Sequence, residues 1–317
     1  MAQSKKILLS GIKPTGRPHL GNYFGMMKQT VEMQDSHEAN LFIADLHALT
    51  SVQNGPELSQ GIFDLAVDYL AIGLDPKKTL FYKQSDTPQV TELGWIFNCL
   101  ATMPYLMRAH AFKDAEAKNK EINVGVFDYP LLMAADILIT DADIVPVGQD
   151  QKQHVEMARD MALKFNNAFG ETLRVPQEKI IENLAVVPGT DGQKMSKSYK
   201  NTIPLFATDE ELKKAIMGIV TDSSGEVPAN VYAIHKLLKP EAELAKLYAD
   251  KKGKYKDLKE ALLADIIAFI KPMREKRAEL AADREGVLRI LKEGGERAHA
   301  RAEKKMQAVR KAIGVSL

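Results

Sequence analysis

The chain has 317 residues, 45% of them hydrophobic and 27% charged, with a formal charge of +1. That length buries a large core in one or two domains, and the composition is ordinary for a soluble globular protein. One cysteine, Cys99, excludes an internal disulfide and a thiolate cluster for zinc, and no apolar run approaches membrane-spanning length. The near-zero charge balance argues neither for nor against a nucleic-acid partner, because it can hide a local basic face. Lys5-Lys6 is followed by only a short apolar run, so no secretory segment is expected and a cytoplasmic protein follows.

Ile7 to Ser10 reads as a short buried strand, Gly11 to Pro18 as a turn, and a helix is expected from near His19 through Tyr23 and Met27 toward Met33. Strand, turn and helix amino end make a ready anion site. No G-x-G-x-x-G follows the strand, so this is not the dinucleotide fingerprint. Asn40 to Asp45 reads as a second strand, with His47 and Thr50 just beyond its end. Leu58 to Gly73 has one apolar helical face (Ile62, Leu65, Ala66, Tyr69, Leu70). Thr79 to Lys83 is a third strand and Val90 to Met103 again helical, with Trp95 and Cys99 expected in the core. Met107 to Asn123 is polar, basic and expected at the surface. Val124 to Thr140 reads as helix, and Asp143 to Gly148 as a strand delivering Gln149, Asp150 and Gln151. A helix through His154 toward Phe165 follows, then an irregular stretch from Leu173 to Val187 with short extended pieces.

Strands alternating with helices imply a parallel sheet covered on both faces, with ligands beyond the carboxyl ends of the strands. From about Asp209 strand signals fade, and Val231 to Leu247, Leu258 to Leu280 and Gly286 to Val315 read as long helices. The expected architecture is therefore α/β: a Rossmann-like parallel-sheet, nucleotide-binding domain over 1–205 and a second, all-helical domain over 206–317. The helical part carries Lys271, Arg274, Lys276, Arg277, Arg301, Lys304, Lys305, Arg310 and Lys311 among many glutamates. A solvated helix face and a strip meeting a nucleic-acid backbone both remain open.

Asp191-Gly192-Gln193-Lys194-Met195-Ser196-Lys197-Ser198 is poor core and poor helix material. It reads as a flexible loop closing over a polyphosphate, its ammonium groups meeting charge that grows on a leaving pyrophosphate. An ordinary solvated turn is the competing reading. Lys13 and Lys113 are each open between a phosphate contact and water. Asp136 lies among Met133, Ala134, Ala135, Ile137 and Leu138, where an aspartate is costly without a donor. An indole N–H or a phenolic hydroxyl from a substrate would meet it, and so would a partner within the fold.

His19-Leu20-Gly21-Asn22 and Lys194-Met195-Ser196-Lys197-Ser198, in this order, resemble the two signatures of class I aminoacyl-tRNA synthetases. Asp128 to Leu138 and Val145 to His154 resemble pocket motifs of the tryptophanyl-tRNA synthetases, and the similarity spans nearly the whole chain. The resemblance implies ATP-dependent activation of L-tryptophan and transfer to tRNA(Trp). It also implies a homodimer, magnesium accompanying ATP with no dedicated protein metal site, and anticodon reading by residues 206–317. His19, Asn22, Lys194 and Lys197 would then be catalytic. Lys13, Pro14, Thr15, Gly21, Asn22, Lys113, Gly148, Gln149, Asp150, Lys194, Met195, Ser196, Lys197 and Ser198 would serve ATP. Asp136 would accept the indole N–H, Met133 would pack on the ring, and Tyr129 and Gln151 would hold the amino group. Leu9, His47, Val145 and Val147 would line the rest of that pocket. Members of the family often carry glutamine where Lys13 stands and a second lysine where this chain has Ala115. Phosphate contacts are accordingly expected to be redistributed toward Lys13 or Lys118. The alternatives are a tyrosyl-tRNA synthetase, which shares the architecture, and a noncatalytic RNA-binding paralogue.

Overall fold

Strands β1 (Ile7–Ile12), β2 (Glu38–Ile43), β3 (Thr79–Lys83), β4 (Ile144–Val147) and β5 (Gln177–Ile180) form one parallel sheet in the order β3-β2-β1-β4-β5. The computed structural model describes residues 5–117, 122–148, 151–180, 187–221 and 227–316. The chain winds outward from β1 to β3 and then restarts beyond β1 with β4. The crevice between β1 and β4 is therefore the switch point at which open parallel sheets bind ligands.

The connections are helical, as parallel pairing demands. In order they are α1 (Leu20–Asn22), a π-helical turn (Tyr23–Met27), α2 (Lys28–Met33), α3 (Asp45–Ala48), α4 (Gly55–Ala71) and α5 (Gln89–Leu100). Then come α6 (Met103–Leu106), α7 (His110–Ala117), α8 (Val124–Ile139) and α9 (Lys152–Phe169). Leu9, Phe42, Leu80, Tyr82, Val145 and Val147 face a core shared with α5, α8 and α9. Leu41, Ile43 and Phe81 face the opposite core, built with α4 and Met27.

The single helix expected from His19 is interrupted by the π-helical turn, which sets Tyr23 and Phe24 against Phe269 with ring centroids 5.5 and 5.6 Å apart. The stretch after Leu173, expected to be irregular with short extended pieces, contains the four-residue strand β5. Trp95 and Cys99 are not core residues: Trp95 is 69% exposed and Cys99 is exposed. Helix α5 instead turns Val90, Leu93, Gly94 and Phe97 inward.

Helices α10 (Asp209–Met217), α11 (Ala229–His235), α12 (Glu241–Asp250), α13 (Tyr255–Ala282) and α14 (Arg284–Ala312) complete the described chain. The helix expected from Val231 to Leu247 is divided into α11 and α12, with Pro240, which has no backbone N–H to donate, at the N-cap of α12. The last helix returns to the sheet. Ala298, Ala302, Met306 and Val309 join the core of β3 and α5, and a Cβ on Gly294 would collide with the Phe81 carbonyl. Much of the expected basic strip is drawn into ion pairs within the chain. Arg301 meets Glu38 at 2.6 Å, Lys305 meets Asp141 at 2.6 Å, and Arg310 meets Glu92 at 2.6 Å. Arg277 of α13 bonds Asp68 at 2.6 Å and Asp64 at 3.0 Å, fastening α13 to α4.

Candidate active site

At the carboxyl ends of β1 and β4 lies a cavity of about 330 Å³, a volume suited to a small molecule. Every residue assigned to tryptophan lines it: Leu9 from β1, His47 from α3, Tyr129, Met133 and Asp136 from α8, Val145 and Val147 from β4, and Gln151. Lys13 and Gly148 line it as well. The spacing of Tyr129, Met133 and Asp136 on α8 puts all three on one helical face.

Asp136 is 4% exposed. Gln84 Nε2 donates to both of its oxygens at 2.9 Å, and His47 Nε2 lies 2.8 Å from Oδ2. Burial pushes the carboxyl up, and the bonds from His47 and Gln84 oppose that rise. The aspartate thus has partners within the fold and still borders the cavity. Gln84 carries no sequence signature. Its place immediately after β3, on the rim where ligands gather, was the available signal.

At the cavity mouth the Tyr129 hydroxyl lies 3.1 Å from His154 Nε2, and the Lys13 ammonium lies 5.5 Å from the Tyr129 ring centroid. Lys13 also donates to Thr50 Oγ1 at 3.3 Å, and partial burial lowers its pKa. Lys113 is exposed on α7 and outside the cavity lining. Gln149, Asp150 and Lys118 lie outside the described residues.

The two signatures touch. Gly21 N–H is directed at Met195 Sδ, 3.3 Å away, and Lys197 Nζ donates to the Thr15 carbonyl at 2.6 Å. A Cβ on Gly21 would stand 2.8 Å from the His19 ring and 3.2 Å from Met195. Met195 is 4% exposed, so the loop expected to be poor core material has one anchored residue. Asn201 braces the loop: its Oδ1 accepts the Ser196 N–H at 2.8 Å, and its Nδ2 donates to Asp191 at 2.7 Å and to the Lys194 carbonyl at 3.2 Å. Just beyond, Leu20 N–H donates to Ile203 and Leu205 N–H to Pro18, at 2.9 and 3.0 Å. Lys194 and Ser198 are exposed, Thr15 is half-buried and Pro14 is buried.

His19 and Asn22 cap one another. Asn22 N–H donates to His19 Nδ1 at 3.3 Å, and Asn22 Oδ1 accepts the His19 N–H at 3.1 Å. An Nδ1 that accepts leaves the proton of the neutral ring on Nε2. His19 is 6% exposed, not a surface residue. Burial, with the nearby Lys197 ammonium adding to it, pushes its pKa down to about 4. The unfolded ring titrates near 6.5, so as pH falls the unfolded chain binds the proton first and this group withdraws stability between pH 6.5 and about 4. NMR titration of the His19 ring should show a neutral imidazole through pH 7 and a midpoint near 4. A midpoint near 6.5 would contradict the packed geometry.

The profile of the family "tRNA synthetases class I (W and Y)" matches residues 1–282. The chain is 44% identical over 325 residues to the tryptophan–tRNA ligase of Fusobacterium nucleatum, covering 97% of each. A crystal structure of the Campylobacter jejuni tryptophanyl-tRNA synthetase complexed with ADP and tryptophan matches with a TM-score of 0.92 at 44% identity, over 97% of this chain and 99% of that one. The Mycoplasma pneumoniae tryptophanyl-tRNA synthetase matches with a TM-score of 0.86 at 32% identity, over 98% of both chains. With a switch-point cavity and two touching signatures in the same fold, this chain belongs to the class I tRNA synthetases of the tryptophan and tyrosine branch.

Proposed function

We propose that Asp136 reads the indole N–H of the substrate in a chain whose activity is tryptophan–tRNA ligation. The observation that carries this reading is the acceptor count at the cavity wall. Asp136 Oδ2 takes two donors and Oδ1 only one, so Oδ1 retains acceptor capacity beside an apolar cavity. Met133, Leu9, Val145 and Val147 would flank the bicyclic ring, and His47 would complete the wall. Tyr129 and Gln151 would hold the amino group at the mouth.

In the first step a carboxylate oxygen of tryptophan attacks the α-phosphorus of ATP, and the bond to the bridging oxygen breaks as pyrophosphate leaves. The terminal adenosine hydroxyl of tRNA(Trp) then attacks the acyl carbon, releasing AMP and a proton. The first step calls for alignment and charge stabilisation more than for a base. His19 would offer its Nε2–H to phosphate, with Asn22 fixing the ring. Lys194 and Lys197 would meet the charge growing on pyrophosphate. Gly21, with no side chain of its own, would let backbone lie against the nucleotide. Pro14, Thr15, Gly148, Met195, Ser196 and Ser198, together with Gln149 and Asp150, would shape the remaining cradle. Lys13, beside Tyr129, stands nearer the cavity than Lys113 and is the better candidate for a phosphate or carboxylate contact. The cationic rim suits phosphate oxygens more than a metal, so magnesium would enter bound to ATP and supply charge neutralisation there.

The intact His19, Lys194 and Lys197 favour an enzyme over a noncatalytic paralogue. Anticodon reading falls to the helical part within 206–317, where α10 to α13 lie apart from the sheet more than α14 does. No described helix is long and apolar enough to cross a membrane, and a cytoplasmic setting fits the use of tRNA. Exposed Trp95, Met103 and Val124, at 69%, 63% and 80%, sit on the neighbouring elements α5, α6 and α8 and support a homodimer.

Asp136→Ala should weaken tryptophan binding about tenfold or more, the scale of losing a charged hydrogen-bond acceptor, while ATP binding changes little. Titration calorimetry giving equal tryptophan affinity in variant and parent would remove Asp136 from the site. Sedimentation of the native protein should give a dimer at micromolar concentration, and a monomer there would rule out the proposed interface.

A further inference from the structure

Gln84 opens the short 3-10 turn that follows β3 and is 1% exposed. Its amide can be oriented in only one sense. The Oε1 end accepts the His47 backbone N–H at 3.2 Å, and that group can only donate. The Nε2 end therefore faces Asp136, 2.9 Å from each carboxylate oxygen. Its own carbonyl accepts from Thr87 Oγ1 at 2.9 Å and from the Thr87 N–H at 3.0 Å, fixing the backbone from which the amide projects.

The result is a closed ring of bonds across three elements. The His47 main chain holds Gln84, the Gln84 amide holds Asp136, and the His47 side chain holds Asp136 again at Oδ2. Two donors on Oδ2 and one on Oδ1 leave Oδ1 the oxygen with acceptor capacity to spare. A buried carboxylate with fewer donors tends to take up a proton, and its neutral form is an ambiguous partner for an N–H group. His47 and Asp45 from α3 and the Tyr82 hydroxyl from β3 are near enough to interact electrostatically with this carboxylate. Of these, His47 is the one that bonds to it.

We propose that Gln84 is a positioning residue for substrate selection: it holds Asp136 as a fixed acceptor and thereby sets how strongly the site prefers a ring N–H over an isostere that lacks the donor. The proposal rests on Asp136 reading the indole. It assigns to Gln84 a role in specificity beyond filling space, acting through Asp136 without touching the reacting atoms.

The test compares the full-length parent with Gln84→Met, close in volume but without polar donors, and with Asp136→Ala. Amino-acid-dependent ATP–pyrophosphate exchange gives kcat/KM for tryptophan and for 3-(3-benzothienyl)alanine, in which sulfur replaces the ring N–H. Gln84→Met should reduce the ratio of the two values about tenfold, the scale of losing one hydrogen bond to a charged group, with the KM for ATP essentially unchanged. A general packing lesion would lower both values together. A ratio unchanged in Gln84→Met but collapsed in Asp136→Ala overturns the role of Gln84 alone. A ratio unchanged in both removes the Asp136 reading as well. If Gln84→Met does not fold, Gln84→Glu decides. Its carboxyl still accepts the His47 N–H but donates to Asp136 only when protonated, and two adjacent carboxyls share a proton. The ratio should then fall as pH rises from 6 to 9 while the parent's stays level. A level ratio across that range in a folded Gln84→Glu protein overturns the proposal.

Discussion

A carboxylate set into an apolar helix has to be met by donors, and Asp136 is met from two other parts of the chain. His47 arrives on the turn after β2 and Gln84 on the turn after β3, so the carboxyl ends of both strands are bound to α8 through one side chain. Removing a charge from water costs several kcal/mol unless such bonds replace the lost hydration. The arrangement makes a buried carboxylate of the cavity wall also one of its most constrained groups. An acceptor held this way selects a ligand by where its donor falls, which suits a ring whose single N–H has a fixed direction.

The nucleotide side is governed by a different contact. Met195 is buried against Leu20, Tyr23 and Phe24, and its sulfur lies on the Gly21 N–H. One apolar residue thus anchors a loop whose other side chains are mostly polar and exposed, and it delivers Lys197 to Thr15. The helical part is tied to the same region. Arg17, two residues before His19, bonds Glu211 of α10 at 3.0 Å, while Arg277 of α13 bonds Asp68 of α4. Burial pushes the Asp68 carboxyl up to about 6 although Arg277 pulls it down. Arg17 thus ties α10 to the segment leading into the first signature, and Arg277 ties α13 to α4.

Much of this was legible in the residues because local pattern and tertiary role agree. β3 is found at Thr79–Lys83, as its apolar run indicates, and the residues of the pocket motif converge because α8 repeats every turn. What was not legible depends on contacts between distant segments. Gln84 looks like any loop glutamine until His47 and Asp136 are placed beside it. Trp95 and Cys99 share a helical face, but periodicity alone does not say which face turns inward. The basic residues of α14 resemble a nucleic-acid strip, yet Glu38, Asp141 and Glu92 lie too far away in sequence for their pairing to be foreseen. The π-helical turn has no clear sequence mark, since Gly25 within it meets nothing that would explain its place.

The account stands or falls on a cavity in which Asp136 answers an indole N–H while ATP activates the tryptophan carboxylate. Exchange of pyrophosphate into ATP, measured with tryptophan, tyrosine and phenylalanine in turn at saturating ATP and magnesium, probes that directly. Rapid exchange with tryptophan and little with the other two is the predicted result. Faster exchange with tyrosine than with tryptophan would contradict it.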